Sequence, residues 1–364
     1  MDTQKTILIC PLNWGLGHAT RDIPIIRRLQ AMDYKVVVAT ESPLTELINE
    51  AVPGLTFEYF PGPKVTYSKS NLLIFKLLKQ LPLWLRWQKK EKEIIDQLVQ
   101  KHQPQIILSD NRYGARHPKV RSILITHQLM VKLPKGLKWA ETLAHRFILR
   151  LTKPFDEVWI PDFEKPDSLA GDLAHFYPLP GNARLIGPLS RFMDPPLHQS
   201  TNHPNYNCLA ILSGPEPQKS LLKDLLIDKL TRSPFKSLII TGEPNLEMEE
   251  KFHKEKSLTL IPHLNQEKLA QLICDTPILI TRSGYSSIMD LYFLKKRALL
   301  VPTPGQTEQN YLAVFNAKNH PFIAQNKILT TPLNEIFGHL SESIADQHPE
   351  NLLLQAALNT LLSY

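Results

Sequence analysis

Glycine and cysteine are scarce in this sequence of 364 residues, and long apolar runs are missing from it. There are 14 glycines against 30 prolines, and the composition is that of neither a collagen nor a low-complexity chain. The longest hydrophobic region, Leu72–Trp87, is interrupted by Lys76, Lys79, Pro82 and Arg86. It therefore falls short of the roughly 20 apolar residues that a membrane-spanning helix needs. The first residues also lack the layout of a signal peptide.

The few cysteines and the absence of metal-binding spacings narrow the chemistry further. Cys10, Cys208 and Cys274 are far apart and lie in apolar contexts, so we interpret them as reduced core residues of a cytoplasmic protein. The sequence contains no Asp-x-Asp, no His-Glu-x-x-His and no His/Cys cluster. Asp162-Phe163-Glu164 comes nearest and is typical of a solvated acidic pair. We therefore expect neither a metal nor a cofactor.

Positive charge is concentrated in the first half of the chain. Residues 1–190 hold 26 Lys and Arg against 18 Asp and Glu, a net charge of +8, whereas residues 191–364 hold 16 against 17. This asymmetry indicates an anionic partner for the first half, such as a phosphate group or a membrane surface. A solvated basic face is the alternative. No nucleic-acid recognition motif accompanies the basic stretches, so we expect no nucleic-acid partner.

Short apolar runs alternate with helical patterns along the whole chain, which predicts an α/β protein with parallel, doubly wound sheets. The predicted strands are 6–10, 36–39, 55–60, 105–109, 122–126, 157–160, 208–212, 237–241, 259–261, 278–281 and 298–301. A proline-rich polar stretch at 187–206 predicts a linker. We therefore expect a Rossmann-like domain over 1–190, a second one over 191–345, and a helix over 346–364 that packs back on the first.

The loop after the first predicted strand has the strongest functional signal. It reads Asn13-Trp14-Gly15-Leu16-Gly17-His18 and leads into a helix that we expect to begin near Ala19, with Arg21 in its first turn. Glycines let a backbone approach a ligand closely, and the N–H groups of a helix start favour an anion. They also disfavour a protonated imidazole, which leaves His18 available as a base. A helix-capping histidine is the alternative reading.

Two sites in the second half are typical of nucleotide binding. Ser213 and Gly214 lie between a strand and a helix expected from about Lys219, where a hydroxyl and an open backbone suit a phosphate. An ordinary turn is the alternative there. Further along, Arg282-Ser283-Gly284 ends a strand and Ser286-Ser287 opens a helix.

One turn into that helix, Asp290 is placed to accept hydrogen bonds from two vicinal hydroxyls. Glu308 and Gln309 begin a further helix with polar side chains.

Together these residues resemble the GT-B glycosyltransferases, most closely glycosyltransferase family 28, whose peptidoglycan members transfer N-acetylglucosamine to a lipid intermediate. The resemblance extends from Ile7 to about Ala317. It implies two Rossmann-like domains that face a central cleft, the first for the acceptor and the second for the nucleotide-sugar. It also implies that His18 is the general base on the acceptor.

The resemblance assigns further roles. Asn13, Gly15, Gly17, Arg21 and His127 match the loops at the acceptor and the diphosphate. Ser213 and Gly214 match the α-phosphate loop, and Arg282, Ser283, Gly284, Ser286, Ser287 and Asp290 match the stretch that binds the ribose of UDP. Glu308 and Gln309 match a glutamine pair at the donor sugar. Asp290 replaces a glutamate of the family pattern, and Glu308 replaces a glutamine.

The implied activity is an inverting, metal-independent transfer of a sugar from a UDP-sugar to a hydroxyl of a lipid-linked or glycan acceptor of the cell envelope. A UDP-sugar hydrolase or epimerase of the same fold is an alternative, and a non-catalytic nucleotide-sugar-binding protein is another. The segment Leu72–Lys92 mixes large apolar residues with Lys and Arg, which predicts peripheral contact with the inner face of the membrane. A core-packed helix with snorkelling lysines is the alternative for that segment.

Overall fold

The structure, a computed structural model, describes residues 4–63, 81–193, 206–243, 251–253, 257–332, 335 and 351–361; of residues 81–85, 135 and 251–253 it describes the backbone alone. The described chain divides into two compact units. Unit 1 contains residues 4–63, 81–190 and 351–361, and unit 2 contains the described residues between 191 and 335.

Unit 1 is built on a parallel sheet. Its strands are β1 (Thr6–Pro11), β2 (Lys35–Thr40), β3 (Thr56–Tyr59), β4 (Ile106–Asp110), β5 (Arg121–Ile125), β6 (Glu157–Ile160) and β7 (Ala183–Leu185). They are hydrogen-bonded in the order β3-β2-β1-β4-β5-β6-β7, all parallel. Every residue of β1 and β4 is buried, as is typical of central strands covered on both faces. The sequence pattern did not predict β7, because this short strand lacks a β-branched residue.

Helices separate most of these strands. They are α1 (Leu16–Ala31), α2 (Leu44–Ala51), α3 (Leu81–His102), α4 (Glu141–Thr152) and α5 (Asp172–His175), with a 3₁₀ helix at Lys135–Ala140 leading into α4. The prediction that α1 begins near Ala19 is wrong by one turn. Gly15 has a φ of 123° and forms the non-helical cap, so the three residues after it already belong to the helix. His18 therefore lies in the first turn of α1.

Unit 2 repeats the same design. Its strands are β8 (Cys208–Ile211), β9 (Ser237–Ile240), β10 (Lys251–His253), β11 (Leu258–Ile261), β12 (Ile278–Thr281) and β13 (Leu299–Leu300), in the order β10-β11-β9-β8-β12-β13. Only β10, which the sequence pattern did not predict, runs antiparallel to its neighbour among these strands. The helices are α6 (Gln218–Thr231), α7 (Gln266–Asp275), α8 (Tyr285–Phe293) and α9 (Thr307–Phe315). The leucines of α6, spaced by four residues, pack in one cluster with the strands.

The cysteines divide between core and surface. Cys10 and Cys208 are buried and free, as predicted. The prediction of a core position for Cys274 is wrong, because its neighbour Ile273 takes the inward position of α7 and Cys274 is exposed. No helix in the described part of the chain is long and apolar enough to cross a bilayer.

The chain returns to unit 1 after unit 2. Helix α10 (Leu352–Asn359) follows Asn351, whose side-chain amide donates to the backbone oxygen of Pro188 at 2.8 Å. Arg121 of β5 donates to the backbone oxygen of Thr360 at 3.5 Å. Most of the predicted linker, 194–205, lies outside the described residues, and so do 346–350 of the predicted terminal helix and 72–80 of the predicted membrane segment.

Candidate functional site

The strand order of unit 1 reverses between β1 and β4. These two strands are neighbours, and their last residues, Pro11 and Asp110, stand opposite each other in the register. In open α/β sheets, ligands bind beyond the carboxyl ends of the strands at such a reversal. The loop after β1, the first turn of α1 and the end of β4 therefore meet where a ligand is expected.

A buried carboxylate organises this edge of the sheet. Asp110 is fully buried, and its Oδ2 atom accepts hydrogen bonds from His18 Nδ1 and from Arg21 Nε, each at 2.8 Å. Arg21 Nη2 donates to the other oxygen, Oδ1. Because His18 and Arg21 are three residues apart, they lie on one face of α1 and both reach the end of β4.

The charges at this edge determine the state of the histidine. Burial favours the neutral acid of Asp110, but Arg21 and His18 outweigh it and lower the pKa of Asp110 to about 2. Nδ1 of His18 also lies 2.9 Å from Arg21 Nη2, but that nitrogen already donates to Asp110 Oδ1. An ionised carboxylate only accepts hydrogen bonds, so the contact with Asp110 favours the tautomer with the proton on Nδ1. Burial also lowers the pKa of His18, against the opposing effect of Asp110. The neutral ring that results has its lone pair on Nε2, the form that can accept a proton.

The remaining predicted residues of unit 1 surround this pair. His127 is buried after β5, and its Nδ1 atom lies 3.4 Å from Arg21 Nη1. Asn13 donates to the backbone oxygen of Ser42 at 3.1 Å. Gly17 accepts from the hydroxyl of Thr20 at 3.0 Å. The structure thus brings His18, Arg21 and His127 together, while Asn13 and the two glycines shape the loop before them.

A second carboxyl lies below this edge. Asp22 is fully buried, and neither of its carboxyl oxygens has a hydrogen-bond partner among the described residues. Burial raises the pKa of Asp22 well above its ordinary value, and the charge of Asp110 raises it further. An ionised carboxylate is costly in such a place, so burial favours the neutral acid of Asp22.

Asp110 is the residue that sequence reasoning missed. The predicted strand, 105–109, ends one residue before Asp110, whereas β4 includes it. A signal did exist, because Asp110 is a polar residue directly after an apolar strand. Its relation to His18, 92 positions earlier, depends on the pairing of β1 with β4 and was not readable from local sequence.

Unit 2 has its own reversal between β8 and β12, and the predicted phosphate loop lies there. Ser213 and Gly214 follow β8, and Gly214 has a φ of 96°, a conformation that favours glycine. The first N–H groups of α6 already have partners. The N–H of Lys219 donates to Pro215 O at 3.2 Å, and that of Ser220 donates to the carboxylate of Glu216 at 3.2 Å. A phosphate here would therefore meet the loop before it meets the helix.

Arg282 lies inside unit 2 at the same edge. It is 1% exposed, and its guanidinium donates to Gln218 O at 2.7 Å, to Val301 O at 3.2 Å and to Pro302 O at 3.4 Å. These oxygens belong to the start of α6 and the end of β13. Arg282 thus joins the loops of two neighbouring strands, and its hydrogen bonds in the structure go to the protein itself.

The predicted ribose site lies on the first turns of α8. Gly284 is the cap residue, and Ser286, Ser287 and Asp290 are partly exposed. The carboxylate of Asp290 is 16% exposed and lies 3.7 Å from the Nε atom of Arg191. Residues three and four apart share a helix face, so Ser286, Ser287 and Asp290 form one polar surface.

The two residues of the predicted sugar-binding pair, Glu308 and Gln309, differ in exposure. Glu308 is partly exposed in the first turn of α9. Gln309 is 9% exposed, and its Oε1 atom accepts from the N–H of Thr303 at 2.8 Å. Its backbone oxygen accepts from the hydroxyl of Ser283 at 2.9 Å. Gln309 therefore ties the loop after β12 to the loop after β13. No group of His, Cys, Asp and Glu suited to a metal ion occurs among the residues that the structure describes.

Comparison with known proteins assigns unit 2. Residues 218–349 match the glycosyltransferase family 28 C-terminal domain. Over these residues the chain is similar to family 28. That domain begins at α6 and includes Arg282, Asp290, Glu308 and Gln309, which are the residues that carried the family resemblance in the sequence.

A curated relative is similar over a segment of comparable length. It is the UDP-N-acetylglucosamine--N-acetylmuramyl-(pentapeptide) pyrophosphoryl-undecaprenol N-acetylglucosamine transferase of Prochlorococcus marinus (strain MIT 9312), 28% identical over 142 residues. The match spans 37% of this chain and 37% of that relative.

Solved structures agree on the fold over the whole chain. The glycosyltransferase of kitacinnamycin matches with a TM-score of 0.61 and 15% identity, covering 99% of this chain and 96% of that one. A Staphylococcus aureus MnaA–UDP structure matches with a TM-score of 0.60 and 12% identity, covering 100% and 97%. The chain thus has the GT-B fold, as the sequence predicted.

Proposed function

We propose that this protein transfers a sugar from a UDP-sugar to a hydroxyl group of a lipid-linked or glycan acceptor, with inversion at the anomeric carbon. The observation that carries the proposal is the pairing of His18 with Asp110 at the strand reversal of unit 1, at 2.8 Å. A neutral histidine held by a buried carboxylate is suited to general-base catalysis. The family 28 domain in unit 2 supplies the case for a nucleotide-sugar donor.

The proposed reaction is a single displacement. Nε2 of His18 takes the proton of the acceptor hydroxyl while the acceptor oxygen bonds to the anomeric carbon. The bond from that carbon to the phosphate oxygen breaks, and UDP leaves with the electron pair. Because attack and departure occur on opposite faces, the configuration inverts. Asp110 stabilises the imidazolium that forms on His18.

We propose N-acetylglucosamine as the transferred sugar because the name of the curated relative states its transfer. The same name supports uridine as the base of the donor, and the MnaA structure of the same fold was solved with UDP. In this chain Ser213 and Gly214 are the candidates for the phosphate, and Asp290 is the candidate for the ribose. The proposed reaction uses neither a metal nor a cofactor. Polar groups of the loops at the two strand reversals are proposed to take the acceptor proton and to stabilise the leaving UDP.

Membrane contact belongs to the same proposal, and a surface on unit 1 supports it. Trp139, Leu143 and Phe147 are 72%, 56% and 39% exposed, and their spacing of four residues places them along one side of α4 and the 3₁₀ helix before it. Phe176, 51% exposed, is beside this helix because its neighbour Tyr177 stacks on His145 of α4 at 3.9 Å.

Basic side chains flank that apolar surface. Lys138, Arg146 and Arg150 are exposed on the same two helices, and Lys132 Nζ lies 4.9 Å above the ring of Phe176. Apolar residues beside cations are typical of surfaces that contact anionic bilayers. The proposed location is therefore the cytoplasmic face of the membrane, where a lipid-linked acceptor would be found.

The activity is tested by a screen of nucleotide-sugars for binding, followed by turnover with and without lipid extract. The variant His18→Ala is expected to keep nucleotide affinity and to lower turnover by about 100-fold or more. His117→Ala is the matched control, because His117 also pairs with an aspartate and has 16% exposure against 15% for His18. Sugar release without acceptor would indicate a hydrolase, and unchanged turnover in His18→Ala would contradict the proposed base.

The membrane surface is tested by co-sedimentation with phosphatidylglycerol vesicles at low salt. Replacement of Leu143 and Phe147 by serine is expected to reduce binding, because each apolar side chain that enters the bilayer adds to the affinity. Replacement of Val314 and Phe315, which are 61% and 43% exposed in unit 2, is the control. Wild-type protein that does not bind the vesicles would contradict the membrane proposal and leave the transferase proposal standing.

A further inference from the structure

Arg282 is a buried cation without a counter-charge among the residues that the structure describes. Its side chain is 1% exposed, and it forms no ion pair with any residue that the structure describes. Among the described residues, it donates three hydrogen bonds, all to neutral backbone oxygens, and its Nε atom has no partner there. Burial alone lowers the pKa of Arg282, to about 10, so the guanidinium remains charged at neutral pH. An uncompensated charge in a protein interior is costly.

The charge of Arg282 lies next to both loops that are proposed to bind the nucleotide. One amino group of Arg282 holds the oxygen of Gln218, the first residue of α6, directly after the loop that contains Ser213 and Gly214. Arg282 itself precedes Ser283 and Gly284, which lead into the proposed ribose site on α8. Both loops belong to the strand reversal of unit 2, where ligands of such sheets bind.

The N–H groups at the start of α6 are not the main source of positive potential for a phosphate at this loop. Its first N–H groups already donate within the protein, and Ser220 donates to the carboxylate of Glu216. That carboxylate adds a negative charge at the start of the helix. Arg282 donates to the backbone oxygen of Gln218 in the same turn, and it forms no ion pair with a described residue.

We infer that Arg282 is a positioning residue whose buried, uncompensated charge attracts the phosphates of the bound nucleotide without contacting them. The inference rests on the proposed function, since it assumes a nucleotide diphosphate in unit 2. It differs from the family assignment, in which Arg282 is part of a binding motif. The cost of burying the guanidinium in the free protein is offset when a polyanion binds.

A structural role is the competing explanation. Three hydrogen bonds from one side chain join α6 to the end of β13, and their loss alone would deform the loops. A deformed loop would weaken uridine, UMP and UDP to the same degree. Loss of the guanidinium charge would instead weaken binding more for the ligand with more negative charge, so least for uridine and most for UDP. Two unit charges roughly 8 Å apart, at an effective dielectric constant of about 20, attract enough for roughly a 30-fold effect on affinity.

The experiment compares the affinities of uridine, UMP and UDP by calorimetry in wild-type protein, Arg282→Gln and Arg282→Lys. If wild-type protein binds another nucleoside diphosphate in the screen, the series is run on that base. Arg297→Gln is the matched control. Arg297 also donates to backbone oxygens, those of Asn319 and Lys318, but it precedes β13 and so lies at the opposite edge of the sheet.

The inference predicts for Arg282→Gln unchanged affinity for uridine, a loss of about 30-fold for UMP and a larger loss for UDP. Arg282→Lys keeps the charge and is expected to stay within a few-fold of wild type for all three ligands. Equal losses for the three ligands, or no loss, would overturn it. If Arg282→Gln does not fold, Arg282→Lys decides: retained UDP affinity supports the role of charge, and lost affinity for all ligands refutes it. Wild-type protein that binds no nucleoside diphosphate would instead contradict the proposed function itself.

Discussion

Replacement of Asp110 by asparagine is the sharpest test of the pairing with His18. The amide has the shape of the carboxylate but no charge, and it presents both a donor and an acceptor. If its donor faces His18, Nδ1 becomes the acceptor, the ring proton moves to Nε2, and the base is lost. Arg21, 2% exposed, loses the buried carboxylate that balances its charge.

The expected loss of stability follows from the pKa of Asp110. Its fall from 3.8 to about 2 corresponds to about 2–3 kcal/mol of folding free energy at neutral pH, which is lost as the pH falls from about 4 to about 2. The whole cost is about 3–5 kcal/mol, because removing one partner of a buried ion pair also leaves the charge of Arg21 without its carboxylate. For a unit of this size, Tm should fall by roughly 6–20 °C.

Activity separates the catalytic role of Asp110 from its structural one. We expect kcat of Asp110→Asn to fall by about 100- to 10,000-fold at a temperature where the protein is folded. Because Asp110 opposes the lowering of the pKa of His18, the acid limb of any residual pH profile should move to lower pH.

The double variant Arg21→Gln with Asp110→Asn removes both charges, so it should regain stability without regaining kcat. Recovery of kcat in parallel with Tm in the double variant would refute the reasoning, because the carboxylate would then act only by holding Arg21.

Three further results are expected. Asp290→Ala should weaken UDP binding by about 1–3 kcal/mol in calorimetry, the scale of a charged hydrogen bond, and unchanged affinity would remove Asp290 from the ribose site. Asp22→Asn should stabilise the protein at neutral and alkaline pH and have no effect below about pH 4. The raised pKa of Asp22 means that wild type loses stability as the pH rises toward it, so equal Tm values at pH 8 would contradict the neutral acid. Gly114→Ala should destabilise unit 1 by about 1–3 kcal/mol, because a Cβ there would lie 2.6 Å from Glu91, whereas Gly136→Ala, with open space around it, should be neutral; thermal melts decide between them.

The fold was predictable because its signals are local. Apolar runs and helical spacings repeat along the chain, and they predicted most of the strands and the division near residue 190. His18 could be predicted as a site residue for the same reason, since the two glycines and the helix start that define its place are adjacent in sequence. Boundaries were less accurate: Gly15, with its positive φ, moved the start of α1 by a full turn.

The site was only partly predictable, because its contacts join distant positions. Asp110 reaches His18 through the pairing of β1 with β4, which no local pattern reports. The sequence also does not show whether a polar side chain of a loop or helix start is buried in the protein or exposed to a ligand. Arg282 and Gln309, both assigned to ligand contact by resemblance, are buried and hydrogen-bonded to the protein, whereas Asp290 and Glu308 are partly exposed.

Helix α10 makes unit 1 discontinuous in the chain, which has a consequence for folding during synthesis. Leu354, Ala357 and Leu358 are completely buried, yet they are translated after all of unit 2. On the ribosome, unit 2 can therefore acquire its full core while unit 1 still lacks part of its own. A fragment that ends before residue 351 leaves an uncovered apolar site on unit 1, and such sites are recognised by chaperones and proteases. Completion of the first unit therefore follows synthesis of the second.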